Sequence, residues 1–201
     1  TTFTGKDQFY QIVASYSSDL WKSVGADRVA RELSSHPDQP NIYVYQFLWG
    51  SGGDNGTSVI PAPWGFRLGA CHSLDIPFFF GNDIWNSPLD LLIFTKDNRE
   101  GREALSRAMM AYVAQFARTG NPNNSGSGLT DWSPWSNAVD GPKFILFNVQ
   151  GNVPDLIMSK VELTESGVKA SLASQVPEPL YSETVQYLSK MGTKLELGKS
   201  D

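Results

Sequence analysis

Residues Ile42-Tyr43-Val44-Tyr45-Gln46-Phe47-Leu48-Trp49 form an almost unbroken apolar, β-branched and aromatic run of strand length. A half-exposed strand alternates apolar and polar side chains, so a run this apolar suits a strand covered on both faces. Such strands usually belong to parallel sheets flanked by helices, and the run points to an α/β chain. Helical patterning elsewhere agrees. Between Gly5 and about Pro37, Phe9, Ile12 and Val13 make one apolar stripe. Leu20, Trp21, Val24, Val29 and Leu33 make another, with Ser18 or Asp19 as its expected N-cap. From Asp97 to Ala117, Leu105, Met109, Tyr112, Val113 and Phe116 predict a second long helix. Asp97 and Glu100 resemble a capping box at its start, and Gly120-Asn121-Pro122 is a stop. Phe144-Ile145-Leu146-Phe147 reads as a second short buried strand. Tyr181, Val185, Leu188 and Met191 make a last helical stripe, closed by Gly192.

No linker or repeat interrupts this order, and residues 1–201 are taken as a single unit. Its length suffices for one domain that buries roughly 70% of its unfolded surface. The formal charge of −5 has the wrong sign for tracking a phosphate backbone, so nucleic-acid binding is not expected. No apolar run approaches the roughly 18 residues needed to cross a bilayer, so no membrane span is expected. The chain starts at Thr1 without an initiator Met, which reads as a processed product or a part of something longer. Two loops stand out: one from Gly50-Ser51-Gly52-Gly53 past Pro61 and Pro63 to Gly69, and another from Asn121 to Pro142. Trp132 and Trp135 are expected to anchor the second to the body.

Chemistry-bearing residues are few. Cys71 is the only cysteine, which excludes an internal disulfide and a clustered-thiol zinc site; no metal or cofactor is implied. His36 precedes Pro37 in an exposed turn and reads as solvated. His72 lies in a glycine-bounded apolar stretch, where chemistry alone leaves two readings open, a satisfied core histidine or a general base. An extended backbone at Cys71 and His72 would send their side chains to opposite faces, so they are not read as a nucleophile–base pair. Gly56-Thr57-Ser58-Val59-Ile60 fails the nucleophile-elbow pattern G-x-S-x-G at its last position. Gly50-Ser51-Gly52-Gly53 lacks the Lys-Ser/Thr of a phosphate loop and reads as a flexible turn. Asp75 and Asp83 are the acids nearest His72, as supporting partners or loop caps.

The segment Gly69-x-x-His72-x-x-Asp75-Ile76-Pro77-Phe78-x-Phe80-Gly81 resembles the catalytic-histidine region of the type B carboxylesterases, the cholinesterase and fungal lipase family. The likeness continues in order through Glu103-Ala104-Leu105-Ser106, then Phe116-Ala117-Arg118-Thr119-Gly120-Asn121-Pro122-Asn123, Trp132-x-Pro134-Trp135 and Lys143-Phe144. Upstream, Ser18-Asp19-Leu20-Trp21 and Tyr43-Val44-Tyr45-Gln46-Phe47 fall where that family has a helix and a strand.

The resemblance implies the C-terminal part of an α/β-hydrolase fold, a mostly parallel sheet with flanking helices. In that fold the triad runs Ser, acid, His along the chain. His72 falls on the histidine, while the nucleophile and acid would lie upstream of residue 1, in the N-terminal portion of the same protein. The implied chemistry is hydrolysis of a small to medium carboxylic ester through an acyl-serine, which needs a neutral imidazole and should therefore fade in acid. Asp75 takes a supporting hydrogen-bonding role. Trp64 matches an aromatic of the substrate pocket wall, with a loop anchor as its equal alternative. Lys22-Ser23-Val24 lacks the cysteine usual in secreted animal members, which suggests a bacterial or otherwise disulfide-poor branch and leaves acetylcholine specificity without support. By the same analogy the Gly101–Ala117 and C-terminal helices would form a homodimer interface. The competing expectation is a non-catalytic, cholinesterase-like binding or adhesion module; the presence of His72 argues against it.

Overall fold

A computed structural model describes residues 6–82 and 88–190 of the chain. Its contacts group into two compact units: the residues up to Pro40 with those from Val161 onward, and Asn41–Lys160.

In the first unit the N-terminal pattern forms one unbroken helical stretch. α1 (Asp7–Lys22) runs through a five-residue π-helical turn, Ser23–Asp27, into α2 (Arg28–Leu33). Asp7 places a carboxylate in the first turn, where the helix dipole favours it. The N-cap expected at Ser18 or Asp19 is therefore absent. The Ser18 hydroxyl instead bonds back to the Ala14 carbonyl at 2.7 Å, an arrangement open to serine inside a helix. The second stripe is only partly inward: Leu20 is buried, while Trp21, Val29 and Leu33 are exposed. The π-helical turn shifts the angular register, so spacing counted through it misplaces the residues beyond.

α7 (Glu165–Gln175) and α8 (Leu180–Lys190) complete this unit. Its core is Leu20, Val168, Leu172, Val176 and Leu188, with Tyr181 and Val185 half-buried against it. The stripe of α8 is the one its sequence predicts, while Met191 and Gly192 lie outside the described residues. α7 is not foreseen, because only Val168 and Leu172 of its eleven residues are buried. Its start is chemically marked: the Thr164 hydroxyl accepts the Gly167 N–H at 3.1 Å. Asp27 is fully buried, and its Oδ2 accepts from Lys22 Nζ at 2.5 Å and from the Leu163 N–H at 2.7 Å.

The second unit carries the sheet. β1 (Tyr45–Phe47) lies parallel to β2 (Phe144–Gln150), with Tyr45 opposite Ile145 and Phe47 opposite Phe147. β3 (Val153–Ser159) returns antiparallel to β2 through Gly151-Asn152. Gly151 has φ +61°, as the first central residue of a II′ hairpin turn requires. The described sheet is thus small and mixed, in the order β1-β2-β3, and parallel only in its first pair. Pro154 is tolerated in β3, where this strand is the outer one. The apolar run of residues 42–49 yields only three paired residues, yet backbone groups on both sides of them also find partners. The Ile42 carbonyl accepts from the Trp135 N–H at 2.7 Å, and the Val44 carbonyl from the Ile145 N–H at 3.0 Å and Trp132 Nε1 at 3.1 Å. Leu48 N–H donates to Phe147 O at 2.9 Å. Trp132 and Trp135 anchor their loop as expected, both almost fully buried.

Helices α3 (Trp64–Leu68), α4 (Ile76–Phe80), α5 (Asp90–Ile93) and α6 (Arg99–Thr119) surround the sheet. The core joins Trp49, Leu74, Phe78, Ile93, Leu105, Met109, Tyr112, Ile145 and Phe147. α6 ends at Gly120 in the left-handed conformation, as its stop signal predicts. Its start differs from the capping box. Asn98 occupies the N-cap without capping, because its side-chain amide is drawn to the Ile93 and Val59 carbonyls at 2.8 and 3.0 Å. Glu100 accepts from Asn152 at 2.7 Å instead. Val113 and Phe116, counted in the apolar stripe, are 40% and 45% exposed, so the buried face of α6 is narrower than its spacing implies. Among the described residues no helix is long and apolar enough to cross a membrane.

Candidate active site

The segment holding His72 is set between a loop folded onto α3 and the start of α4. Gly53 has no side chain because there is no room for one: a Cβ there would lie 2.1 Å from the Gly65 carbonyl carbon and 2.3 Å from the Phe66 nitrogen. The glycine cluster expected to be a flexible turn is a close backbone-to-backbone packing against α3. Ser58 closes the same loop, donating to Gly50 O at 2.6 Å and accepting from the Ile60 N–H at 3.1 Å. Its hydroxyl serves the loop, in keeping with the failed elbow pattern.

After Gly69 the backbone makes two successive turns, with Leu74 N–H to Cys71 O and Ile76 N–H to Ser73 O, both 3.2 Å. The extended conformation expected for Cys71-His72 is thus replaced by a tight turn. His72 is its first central residue, and Ser73 its second, with φ +70°. That sign is the mark of a type II turn, whose second central position normally takes Gly or Asn. A serine there is held against its own preference, and such positions persist only where the surroundings over-determine them. The surroundings here are Leu74, fully buried, and Phe78 and Pro77, also buried, on α4. His72 itself is exposed.

Asp75 stands at the N-cap of α4, yet its side chain makes no capping bond. Its Oδ2 instead accepts from the Tyr45 hydroxyl at 2.7 Å, across thirty residues of sequence. Partial burial of this 38% exposed side chain, and then the Asp75 carboxylate, push the Tyr45 phenol above its usual range. The sequence marks Tyr45 only as a strand residue. Its side-chain hydroxyl carries no sequence signal that would tie it to Asp75.

Trp64 opens α3, is half-buried against the main core, and has the Arg67 guanidinium 5.3 Å from its ring centre. Cys71 is half-buried in the same cluster, and burial raises its thiol, with the Asp75 charge acting in the same direction. That makes it a poor nucleophile, consistent with a packing residue. His36 lies exposed in the turn after α2, as expected. Asp83 lies outside the described residues. A cavity of about 120 Å³ between α4 and α6 is lined by Phe78, Arg102, Ser106 and Met110 among others, and one of about 480 Å³ lies beside Arg28, Arg31 and Lys169. Neither is lined by His72, Asp75 or Trp64. Among the described residues no three His, Cys, Asp or Glu side chains gather as a metal site.

Comparison with known proteins converges on one family. Residues 4–155 match the carboxylesterase family. A pyrethroid hydrolase of Mus musculus, Ces2a, is 36% identical over 94 residues, 47% of this chain and 14% of that protein. An acylcarnitine hydrolase of Mus musculus is 47% identical over 57 residues, 28% of this chain and 9% of that protein. Acetylcholinesterase of Bungarus fasciatus is 33% identical over 111 residues, 55% of this chain and 16% of that protein. The chain therefore spans less than a fifth of each of these relatives. With a match that covers well over half of its residues, including the histidine turn, β1 and β2, this chain belongs to the carboxylesterase family.

Proposed function

We propose that residues 1–201 are the C-terminal portion of a serine carboxylic-ester hydrolase, with His72 as its catalytic histidine. Family membership brings the α/β-hydrolase fold, and the mixed sheet with its surrounding helices fits part of such a domain. The observation that carries the reading is the turn at His72. It is an exposed imidazole on a backbone held in an unfavoured conformation by its neighbours, in the segment that resembles the family's catalytic histidine. The serine nucleophile and the acid come from the part of the protein outside this chain, in line with the small share of each relative that the chain spans.

In the proposed reaction the serine oxygen attacks the ester carbonyl while His72 takes its proton. The tetrahedral adduct collapses with cleavage of the C–O bond, and the departing alkoxide receives that proton from His72. A water, deprotonated by His72, then attacks the acyl-serine; the acid is released and the serine regains its proton. Substrates are small to medium carboxylic esters, and Trp64 forms part of the pocket wall. Asp75 supports the turn without joining the triad. A homodimer through α6 is part of the same reading, and the exposed Val113 and Phe116 on that helix are the residues that suit it.

The test is His72→Gln in the complete protein with a chromogenic short-chain ester. kcat is expected to fall on the order of a thousandfold or more with the fold retained by circular dichroism. Near-normal turnover in the variant removes His72 from the mechanism, whereas absence of turnover in the parent protein itself favours the non-catalytic binding reading. The 201-residue chain alone is expected to show no turnover above background, and His72-dependent hydrolysis by it would overturn the division of the triad.

A further inference from the structure

The hydrogen bond between Tyr45 and Asp75 joins two elements that otherwise have no covalent reason to keep a fixed spacing. Tyr45 is in β1 and 38% exposed, and the inner part of its ring packs on three others: edge-on to Phe79 at 5.2 Å and to Trp132 at 6.4 Å, and tilted on Phe147 at 5.5 Å. Its hydroxyl is therefore delivered at a fixed point beyond the strand. Asp75 meets it there at 2.7 Å and forgoes the capping bond that an aspartate at an N-cap ordinarily makes. Three residues before Asp75 is His72, and between them is Ser73 at φ +70°. A turn that strains a serine needs restraint on both sides. Before it Cys71 packs against the core; after it Leu74 is sealed in the core and Asp75 is tethered to the strand.

We infer that Tyr45 is a positioning residue for His72, acting through the carboxylate of Asp75 to fix the turn that aims the imidazole. The inference rests on the reading of His72 as catalytic base and extends it to a residue that touches no reacting atom. The bond matters as geometry: the carboxylate accepts a hydrogen bond, and the sheet supplies the fixed donor. Misplacement of a catalytic group by about 1 Å can cost up to about a hundredfold in rate, so a partial loosening is expected to cost roughly tenfold.

The experiment uses the complete protein with the same chromogenic ester. Tyr45→Phe keeps the ring packing and removes only the donor. It is expected to lower kcat about tenfold with KM within twofold of the parent. Asp75→Ala is expected to match it, and the double variant to be no worse than either single one, because both break one link. Asp75→Asn keeps an acceptor oxygen and is expected to retain more of kcat than Asp75→Ala. If the charge of Asp75 were what mattered, Asp75→Asn would fall as far as Asp75→Ala while Tyr45→Phe kept its rate, and the inference would be overturned. Equal kcat in Tyr45→Phe and parent also overturns it, as does additive loss in the double variant. His72→Gln is measured alongside. Its failure to lower turnover removes the base assignment and the inference with it, whereas loss in His72→Gln with none in Tyr45→Phe removes the inference alone.

Discussion

The side-chain amide of Asn98 donates to the carbonyl of Val59 at 3.0 Å, fastening the loop that leads to the histidine turn onto the start of α6. The same amide donates to Ile93 O at 2.8 Å, and Asn98 Oδ1 accepts from Arg102 at 2.7 Å, with the Arg102 guanidinium 4.9 Å from the Phe94 ring centre. Asn98 and Arg102 are both buried. One asparagine thus bonds two carbonyls and one guanidinium at a largely buried position.

Asn98→Ala takes the side-chain donor from both carbonyls at once. Each unmet buried group costs about 1–3 kcal/mol, so a loss of roughly 2–4 kcal/mol is expected after partial relaxation. Urea denaturation of the complete protein measures it. A midpoint shift worth less than about 0.5 kcal/mol would contradict the account.

Gly53→Ala places a methyl group where the α3 backbone already is, 2.1–2.3 Å from atoms of Gly65 and Phe66. Neither partner is a side chain that can swing away, so the loop has to leave α3. A loss of about 3 kcal/mol or more is expected, with increased proteolytic cleavage between Gly50 and Pro63. An alanine variant with the parent's stability and cleavage pattern would mean that the loop does not pack on α3.

Asp27→Ala deprives Lys22 and the Leu163 N–H of their buried acceptor, at an expected cost of about 3–5 kcal/mol. Asp27→Asn keeps an oxygen for the Leu163 N–H and should lose less. Equal losses in the two variants would assign the effect to the charge pair alone.

Alkaline stability follows from two phenols. Burial, with a smaller contribution from the Asp131 charge, pushes Tyr112 up to about 12, and Tyr45 moves in the same direction. The folded state holds these protons more tightly than the unfolded chain, whose phenols titrate near 10. Their contribution is therefore complete below about pH 10 and is lost as pH rises towards 12. Stability measured by denaturant should fall over that window. Ultraviolet titration should show an absorbance step above pH 10 that is lost in Tyr112→Phe. A titration above pH 10 that Tyr112→Phe leaves unchanged would refute this.

The raised Cys71 thiol predicts slow alkylation. At pH 8 iodoacetamide should modify Cys71 more slowly in the folded protein than in denaturant, because burial disfavours the thiolate. Equal rates would show that the thiol is solvated.

The amino-acid sequence alone determined the α/β class, the strand at Tyr45–Phe47, the helix ending at Gly120, the anchoring of Trp132 and Trp135, and the family likeness around His72. Each rests on a local pattern: apolar periodicity, a glycine stop, or an ordered set of residues in one segment. Tertiary structure decided what those patterns leave open. β3 has little of an apolar strand run and contains Pro154, so its pairing with β2 comes from the hairpin turn and the partner already in place. The capping box at Asp97 and Glu100 yields to Asn98, because Val59 and Glu100's partner Asn152 arrive from far along the chain. Ser73 adopts a backbone that its own side chain disfavours, and Tyr45 reaches Asp75, because packing around Leu74 and the rings of Phe79 and Phe147 leaves them those positions. Local sequence sets what each segment prefers by up to about 1 kcal/mol per residue, whereas burial and hydrogen bonds made at long range are worth as much or more at a single contact. Where the two disagree, as at the turn carrying His72, the long-range contacts prevail.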